Sequence, residues 1–230
     1  MTVWAISDLH LPAKQKPMDI FGAHWVNHFE RIREDWLARV QAEDVVLLPG
    51  DLCWAMHLEE AQEDIMRVSE LPGRKILLRG NHDYWWSSIG RVRRMLPEGT
   101  YALQNDSIEL DGILFAGSRG WTIPADGDEE SEDARIFRRE RQRLEMSIKS
   151  ARAKNAELPL LVMMHYPPRS ETQTGFSDIL AEYGVKTVVY GHLHGAGLAG
   201  AIRGELDGIT YHQVSCDGLN FQLCRIDPVL

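Results

Sequence analysis

The chain has 230 residues, of which 34 are acidic and 25 are Lys or Arg, so its formal net charge is −9 with histidine neutral. A hydrophobic fraction of 44% with 26% charged residues is typical of a folded globular protein and excludes a disordered or fibrous chain. The negative charge disfavours nucleic acid and anionic membranes as partners, because both repel it at long range. The length fits a single domain over residues 1–230.

Nothing in the sequence indicates a membrane segment or a secretory leader. The longest mostly apolar stretch, residues 158–166, is interrupted by Pro159 and His165 and is shorter than the ~20 apolar residues of a spanning helix. The chain reaches Asp8 without the basic segment and small-residue cleavage site of a leader. Its three cysteines lack CxxC spacing, which favours reduced, buried thiols. We therefore expect a cytoplasmic protein without a membrane span.

Apolar runs that predict strands alternate along the chain with stretches of helical periodicity. The five apolar runs are residues 2–7, 45–49, 75–79, 160–164 and 187–190. The five helical stretches are residues 23–40, 59–70, 87–96, 132–154 and 177–183. After Gly200 come three shorter predicted strands, at residues 201–206, 209–214 and 221–226. Asp207-Gly208 between the first two is a hairpin signal. Continuous apolar runs are typical of strands covered on both faces, so the pattern predicts an α/β fold.

An acidic run at residues 126–133 immediately precedes the longest predicted helix. Negative charge suits the N-terminal end of a helix dipole, so we interpret the run as a solvated loop and cap. A calcium-binding loop is the weaker alternative, because the spacing of an EF-hand is absent. We interpret the arginines of the following helix as its solvated face, with a basic strip for an anionic partner as the alternative.

The five predicted strands end in residues with oxygen or imidazole donors, at the sheet edge where ligands of open α/β sheets collect. In chain order these residues are Asp8, His10, Asp51, Asn81, His82, Asp83, His165, His192 and His194. The donor types suit manganese, iron, zinc or nickel, and the lack of cysteine argues against a closed structural zinc site. The number of ligands predicts two metal ions, with Asp51 as the bridging carboxylate and a hydroxide held between the ions.

Taken singly, each of these short patterns is weak, because a structural histidine is commoner than a metal ligand. Their recurrence is more specific, since five of the nine histidines fall at predicted strand ends. The blocks D-x-H, G-D, G-N-H-D, H and G-H-x-H, running from Asp8 to His194, resemble those of the calcineurin-like metallophosphoesterase superfamily.

This resemblance implies a four-layer α/β/β/α sandwich, in which two central mixed β-sheets are flanked by helices and the strands after Gly200 belong to the second sheet. It also implies a dinuclear site. One metal ion would be held by Asp8, His10, Asp51 and His194. The other would be held by Asp51, Asn81, His165 and His192. We expect two divalent ions, manganese or iron in the first place, with zinc and nickel as alternatives.

The resemblance further implies that His82 donates a proton to the leaving oxygen and that Asp83 orients the His82 imidazole. The expected function is a metal-dependent phosphoesterase that attacks a small-molecule phosphate ester with the metal-bridging hydroxide. The form Gly80-Asn81-His82-Asp83 resembles the phosphodiesterase side of the superfamily, although it also occurs in its nucleases and lipid-pyrophosphate hydrolases. The protein phosphatases of the superfamily have D-R-G shortly after G-D, and the lack of it after Gly50-Asp51 disfavours that branch. The alternatives are a nuclease and a non-catalytic binding or scaffold protein on the same fold. The sequence does not predict the oligomeric state.

Aromatic residues and two arginines lie close to the motifs. The aromatic residues are Trp54, Tyr84, Trp85, Trp86, Trp121 and Tyr166. Packing beneath loops is the favoured interpretation of this group, and stacking on a nucleobase is the alternative. Arg119 and Arg169 have the geometry to clamp a phosphate through two parallel hydrogen bonds, although a surface role is the default for arginine.

Overall fold

The computed structural model describes residues 1–12 and 16–227, which form two β-sheets packed face to face. The strands of the first sheet are β1 (Val3–Ala5), β2 (Val45–Pro49), β3 (Arg74–Leu78), β4 (Thr100–Leu103) and β11 (Cys224–Ile226). The strands of the second are β5 (Ser107–Leu110), β6 (Ile113–Ser118), β7 (Leu160–Met164), β8 (Thr187–Tyr190), β9 (Gly204–Leu206) and β10 (Ile209–Gln213).

Both sheets are mixed, with a parallel centre and antiparallel strands at their edges. The first has the order β11-β1-β2-β3-β4, and only β11 is antiparallel to its neighbour. The second has the order β5-β6-β7-β8-β10-β9, and its edge strands β5 and β9 are antiparallel. The carboxyl ends of the parallel strands therefore lie together at one edge of each sheet.

Helices cover the outer faces of both sheets. They are α1 (His28–Arg39), α2 (Leu58–Ser69), α3 (Ile89–Met95), α4 (Glu132–Lys154) and α5 (Ser177–Glu182). Short 3-10 turns lie at Met18–Phe21, Ala23–Trp25, Gly195–Gly200 and Cys216–Leu219. None of the helices in the described part of the chain combines the length and apolar character that crossing a bilayer requires.

Alternate residues of the central strands enter different hydrophobic cores. In β7, Leu161 and Met163 pack between the two sheets, whereas Leu160, Val162 and Met164 pack against the helices. A third core lies between the first sheet and its helices. Burial on both faces explains why the strands are continuous apolar runs instead of alternating ones. The predicted four-layer α/β/β/α sandwich is confirmed.

The five buried strands and five helices predicted from the sequence are all present, with shifts at their ends. The prediction of a helix from residue 23 was wrong at its start: Ala23–Trp25 is a 3-10 turn, and left-handed Asn27 (φ 52°) separates it from α1. The predicted strands at 201–206 and 221–226 are also shorter, because they begin at Gly204 and Cys224.

Asp207 and Gly208 form the predicted hairpin turn between β9 and β10, with φ values of 53° and 73°. Positive φ at both central residues gives the turn whose twist matches that of the flanking strands. The sequence analysis missed β4, β5 and β6, although Asp111-Gly112 between β5 and β6 is the same signal with φ values of 49° and 80°.

Candidate metal centre

The carboxyl ends of strands from both sheets meet at one edge of the sandwich. The first sheet contributes the residues that follow β1, β2 and β3, and the second contributes those that follow β7 and β8. A chain of direct contacts joins all seven predicted metal ligands, which are Asp8, His10, Asp51, Asn81, His165, His192 and His194.

Two overlapping groups of ligand atoms are close enough for each to hold one cation. One group joins Asp8, His10 and His194, and the other joins Asp8, Asp51 and His165, each with its ligand atoms within 4.8 Å of one another. Within the first group, Nε2 of His194 lies 3.2 Å from Oδ1 of Asp8. Asp8 therefore belongs to both groups. The sequence analysis expected Asp51 to be the residue shared by the two ions.

The Asp51 carboxylate lies between histidines assigned to different ions. Its Oδ2 atom is 3.8 Å from Nε2 of His10 and 3.5 Å from Nε2 of His165. Its Oδ1 atom accepts a hydrogen bond of 2.8 Å from the backbone N–H of His82, which fixes the orientation of the group. Asp51 therefore lies next to a predicted ligand of each ion position.

Asn81 places a neutral oxygen between two imidazole rings. Its Oδ1 atom lies 2.6 Å from Nε2 of His165 and 2.9 Å from Nδ1 of His192. Three donors thus converge on the second predicted ion position, beside Asp51.

Burial brings three carboxyl groups together at this edge. Asp8, Asp51 and Asp83 are 0%, 2% and 0% exposed. Burial, followed by repulsion from Asp83 and Asp8, raises the pKa of Asp51 well above its ordinary value. Burial alone would raise the pKa of Asp8, but the hydrogen bond from His194 and the nearby histidines hold it well below its usual range. Buried carboxylates of this kind need a positive partner.

A histidine binds a metal ion through a neutral ring, and the pKa shifts favour the neutral ring at His10 and His165 but not at His194. Burial lowers the pKa of His10 to about 3 and that of His165 to about 4, so both rings are neutral near pH 7. Burial opposes protonation of His194, but hydrogen bonds to Asp217 and Asp8 raise its pKa to about 10. Nδ1 of His10 is buried without a hydrogen-bond partner among the described residues. Carboxylates and imidazoles in this arrangement fit a borderline divalent metal.

Four of the ligands have left-handed backbone, with φ of 58° at Asp8, 45° at His10, 54° at Asp51 and 73° at His192. For residues other than glycine, such a conformation costs about 1 to 3 kcal/mol each and is concentrated at functional sites. Gly80 and Gly191 let the backbone come close to two of the ligands. A Cβ on Gly80 would collide with Oδ1 of Asp51, and one on Gly191 would collide with Oδ2 of Asp8.

Asp83 does not orient the His82 ring, contrary to the expectation from the sequence. Its carboxylate accepts hydrogen bonds from the backbone N–H groups of Asp51 (2.9 Å), Leu52 (2.9 Å) and Gly80 (2.7 Å), and from Nε1 of Trp85 (2.9 Å). These four donors occupy the accepting sites of both oxygens. Asp83 faces the interior because the turn after β3 points it toward those N–H groups. Its role is to hold the loops that carry Asp51 and Gly80.

His82 lies at the mouth of the site, half-buried beside Trp54 with 4.6 Å between ring centroids. Its Nδ1 atom is 3.3 Å from the hydroxyl of Tyr84. Burial lowers the pKa of His82, as does the positive charge of Lys16. The ring is 5.7 Å from that of His10 between centroids, within reach of a group bound at the centre.

A cavity of about 360 Å³ opens over these residues. Its lining includes five residues of the predicted site, which are His10, Asp51, His82, His192 and His194, and it is completed by Met18, Phe21, His24, Trp25, Trp54, Gly195 and Asp217. The sequence analysis missed Asp217, whose Oδ1 atom lies 2.8 Å from Nδ1 of His194. The same carboxylate accepts the Gly195 N–H at 3.0 Å. No spacing rule could have found it, because it lies in a 3-10 turn after β10.

The aromatic residues near the motifs divide between two roles. Trp85 and Trp86 are 1% and 3% exposed and belong to the core, which is the favoured interpretation. Trp54 instead stacks on His10, with 4.6 Å between centroids and an interplanar angle of 18°. Arg169 pairs with Asp207 at 2.6 Å and does not line the cavity.

Comparison with known proteins gives a family and a fold. The sequence model of the calcineurin-like phosphoesterases matches residues 1–196. No curated protein matches the sequence. The structure of phosphopantetheinyl hydrolase (PptH) from Mycobacterium tuberculosis is similar, with 16% identity, a TM-score of 0.57 and coverage of 99% of this chain and 96% of that chain. The structure of TT1561 from Thermus thermophilus is similar too, with 16% identity, a TM-score of 0.59 and coverage of 98% of this chain and 97% of that chain. At such identity the two structures show a shared fold.

Proposed function

This chain belongs to the calcineurin-like phosphoesterase family, and we propose that it hydrolyses a small-molecule phosphate ester, with a phosphodiester favoured, by means of two divalent metal ions. One observation carries the proposal. Buried carboxyl groups and imidazoles from five strand ends, in two sheets, converge beneath one open cavity.

Seven residues would hold the ions. Asp8, His10, Asp51 and His194 would hold one, and Asp51, Asn81, His165 and His192 would hold the other. Manganese or iron is our first expectation, with zinc and nickel as alternatives. When bound, such ions neutralise phosphate oxygens and lower the pKa of a coordinated water towards 7.

The side chains around these ligands divide the remaining work. His82 donates a proton to the leaving oxygen, and an anionic phosphate beside its ring favours the protonated form. Asn81 contributes an uncharged ligand, which adds no repulsion towards the phosphate. Asp217 fixes the ring of His194 through Nδ1 at 2.8 Å, as a carboxylate beside a metal-bound histidine does. Asp83 keeps the backbone of Asp51 in place.

The shape of the cavity supports a diester as substrate. Met18, Phe21 and Trp25 form an apolar wall of the cavity, and the Trp25 ring lies 6.4 Å from that of His10 and 5.8 Å from that of His194 between centroids. A second ester substituent would pack against this wall and remove it from water. A monoester carries only one substituent and therefore buries less apolar surface here.

The test compares bis(p-nitrophenyl) phosphate with p-nitrophenyl phosphate as substrates. We expect manganese-dependent hydrolysis of both, a higher kcat/KM for the diester, loss of activity with a chelator and recovery when manganese is restored. Protein that contains two metal ions per chain but hydrolyses neither ester would contradict the proposal and indicate a binding or scaffold protein.

A further inference from the structure

A second cleft, of about 220 Å³, lies between the ends of β3 and β6 and helix α4. It shares no lining residue with the cavity over the candidate metal centre. Its lining includes Arg79, Arg119, Arg139, Arg143 and Glu140. The volume is below the roughly 300 to 1,000 Å³ of pockets that hold drug-sized molecules, so the cleft suits a small ion or one charged group.

The charges in this cleft do not balance. Four guanidinium groups face one carboxylate, so the lining has a net charge of 4 − 1 = +3 in a chain whose net charge is −9. Glu140 is 1% exposed, and its short contacts are to Arg143 at 2.7 Å and to the Ser118 hydroxyl at 2.8 Å. Arg119 and Arg139 lie farther from it, at 3.9 and 4.0 Å. Neutralising one carboxylate does not require four arginines.

Two donors that line the cleft lack a hydrogen-bond partner in the part of the chain that the structure describes. Nε of Arg79 and the hydroxyl of Ser87 are buried and have no hydrogen-bond partner among the described residues. Both residues line the cleft. A buried donor without a protein partner needs a water, an ion or a ligand as its acceptor.

We propose that this cleft binds a tetrahedral oxyanion, a phosphate group. Guanidinium groups recognise phosphate through paired hydrogen bonds, and the unpartnered Arg79 and Ser87 donors complete the site. Two sources fit this chemistry. One is free inorganic phosphate, and the other is a second phosphate group of the substrate.

Contacts connect the cleft to the candidate metal centre. The backbone carbonyl of Arg119 accepts the N–H groups of His165 (3.2 Å) and Tyr166 (2.9 Å). The Arg119 guanidinium lies 4.5 Å from the centre of the Trp121 ring. The ring centroids of Trp121 and Tyr166 are 5.1 Å apart, and those of Tyr166 and His192 are 4.1 Å apart. These contacts make the segment that carries Arg119 and Trp121 a structural link between the cleft and the ligands His165 and His192.

Binding of inorganic phosphate to the manganese-loaded protein, measured by calorimetry, is the first experiment. We expect two phosphate sites in the original chain, and in the double variant Arg79→Gln, Arg139→Gln we expect one of them to weaken by at least about tenfold. The double variant Arg135→Gln, Arg138→Gln is the matched control, because it removes the same charge outside the cleft. Metal content and Tm are measured to check that each variant is folded. If the Arg79→Gln, Arg139→Gln variant does not fold, the single variant Arg139→Gln replaces it in the calorimetry.

Kinetics then identify the source of the phosphate. Thymidine 5′-(p-nitrophenyl phosphate) is compared with the same ester carrying a 3′-phosphate. If the cleft takes a substrate phosphate, the 3′-phosphate lowers KM in the original chain and not in the Arg79→Gln, Arg139→Gln variant. If the cleft takes free phosphate, the 3′-phosphate does not change KM in either protein, and the two proteins differ only in the phosphate affinity measured by calorimetry. Phosphate binding and KM that are both the same in this variant and the original chain would overturn the proposal. The calorimetry does not depend on turnover, so its failure is distinct from that of the proposed function.

Discussion

Two groups of acidic residues in this chain have opposite environments. Asp8, Asp51 and Asp83 are far apart in the sequence and are buried together at the strand ends. The acidic run at 126–133 is dense in sequence, but its carboxylate-bearing residues are exposed. Water already solvates the exposed run, whereas a buried carboxyl group either keeps its proton or needs a positive charge beside it. Charge density along a sequence is thus a poor guide to a metal site, and convergence in space is a better one.

The structure gives the acidic run a local role. Ser131 caps α4 by accepting the N–H of Ala134 at 3.0 Å, and Glu132 and Asp133 lie in the first turn of the helix. Within the described residues, both groups of atoms that could hold a metal ion lie at the strand ends. The cap interpretation therefore accounts for the run, and the calcium-loop alternative has no support from the fold.

The largest effect in this comparison should come from Asp51→Ala. Removal of this shared ligand should lower both metal content and turnover, the latter by more than about 10⁴-fold, because neither ion retains its full ligand set. Metal analysis per chain and diester hydrolysis are the measurements. Asp128→Ala, in the exposed run, is the control and should change neither. Equal effects of the two substitutions would remove the distinction between the regions.

His82→Ala separates proton donation from metal binding. We expect the ions to remain and turnover to fall by about 10²- to 10⁴-fold, most for esters with poor leaving groups that need a proton. The measurement is kcat for a nitrophenyl and an alkyl leaving group on the same phosphate. The same loss with both leaving groups would argue against proton donation by His82.

Asp217→Asn tests the carboxylate beside His194. Because this group orients a ligand without being one, we expect manganese affinity to fall by about 10- to 100-fold while two ions still bind at saturation. Titration with manganese gives the Kd. The control is Asp207→Asn, a carboxylate paired with Arg169 outside the site. Unchanged affinity would show that the His194 contact is dispensable.

The smallest effect should come from Ser131→Ala, in the acidic run. Loss of the cap should lower the free energy of unfolding by about 1 kcal/mol, with kcat and metal content unchanged. Urea unfolding supplies the first quantity. A fall in metal content in this variant would mean that the run does participate in ion binding.

The fold and the candidate ligands could be predicted because both depend on short patterns in the sequence. Each ligand follows an apolar strand directly, as His165 follows β7, and parallel strands bring such positions to one edge. Strands β4 and β5 were missed because they are edge strands with exposed residues, Tyr101 and Glu109, and so lack the continuous apolar run that marked the central strands.

Contacts between distant segments could not be predicted in the same way. Asp217 reaches His194 only after β10 pairs with β8, and no pattern in the chain marks that contact. The direction of the Asp83 side chain likewise depends on N–H groups of Asp51 and Leu52, which the fold brings to it. Side-chain direction in a turn is set by tertiary hydrogen bonds, so residue type and spacing did not determine it.

Crystals grown with excess manganese, with anomalous diffraction recorded at the manganese edge, test the central claim most directly. The account predicts two anomalous peaks about 3.5 to 4 Å apart, with Asp51 in contact with both, His10 and His194 beside one, and His165 and His192 beside the other. A map without peaks at the strand ends, or with manganese only along residues 126–133, would contradict it.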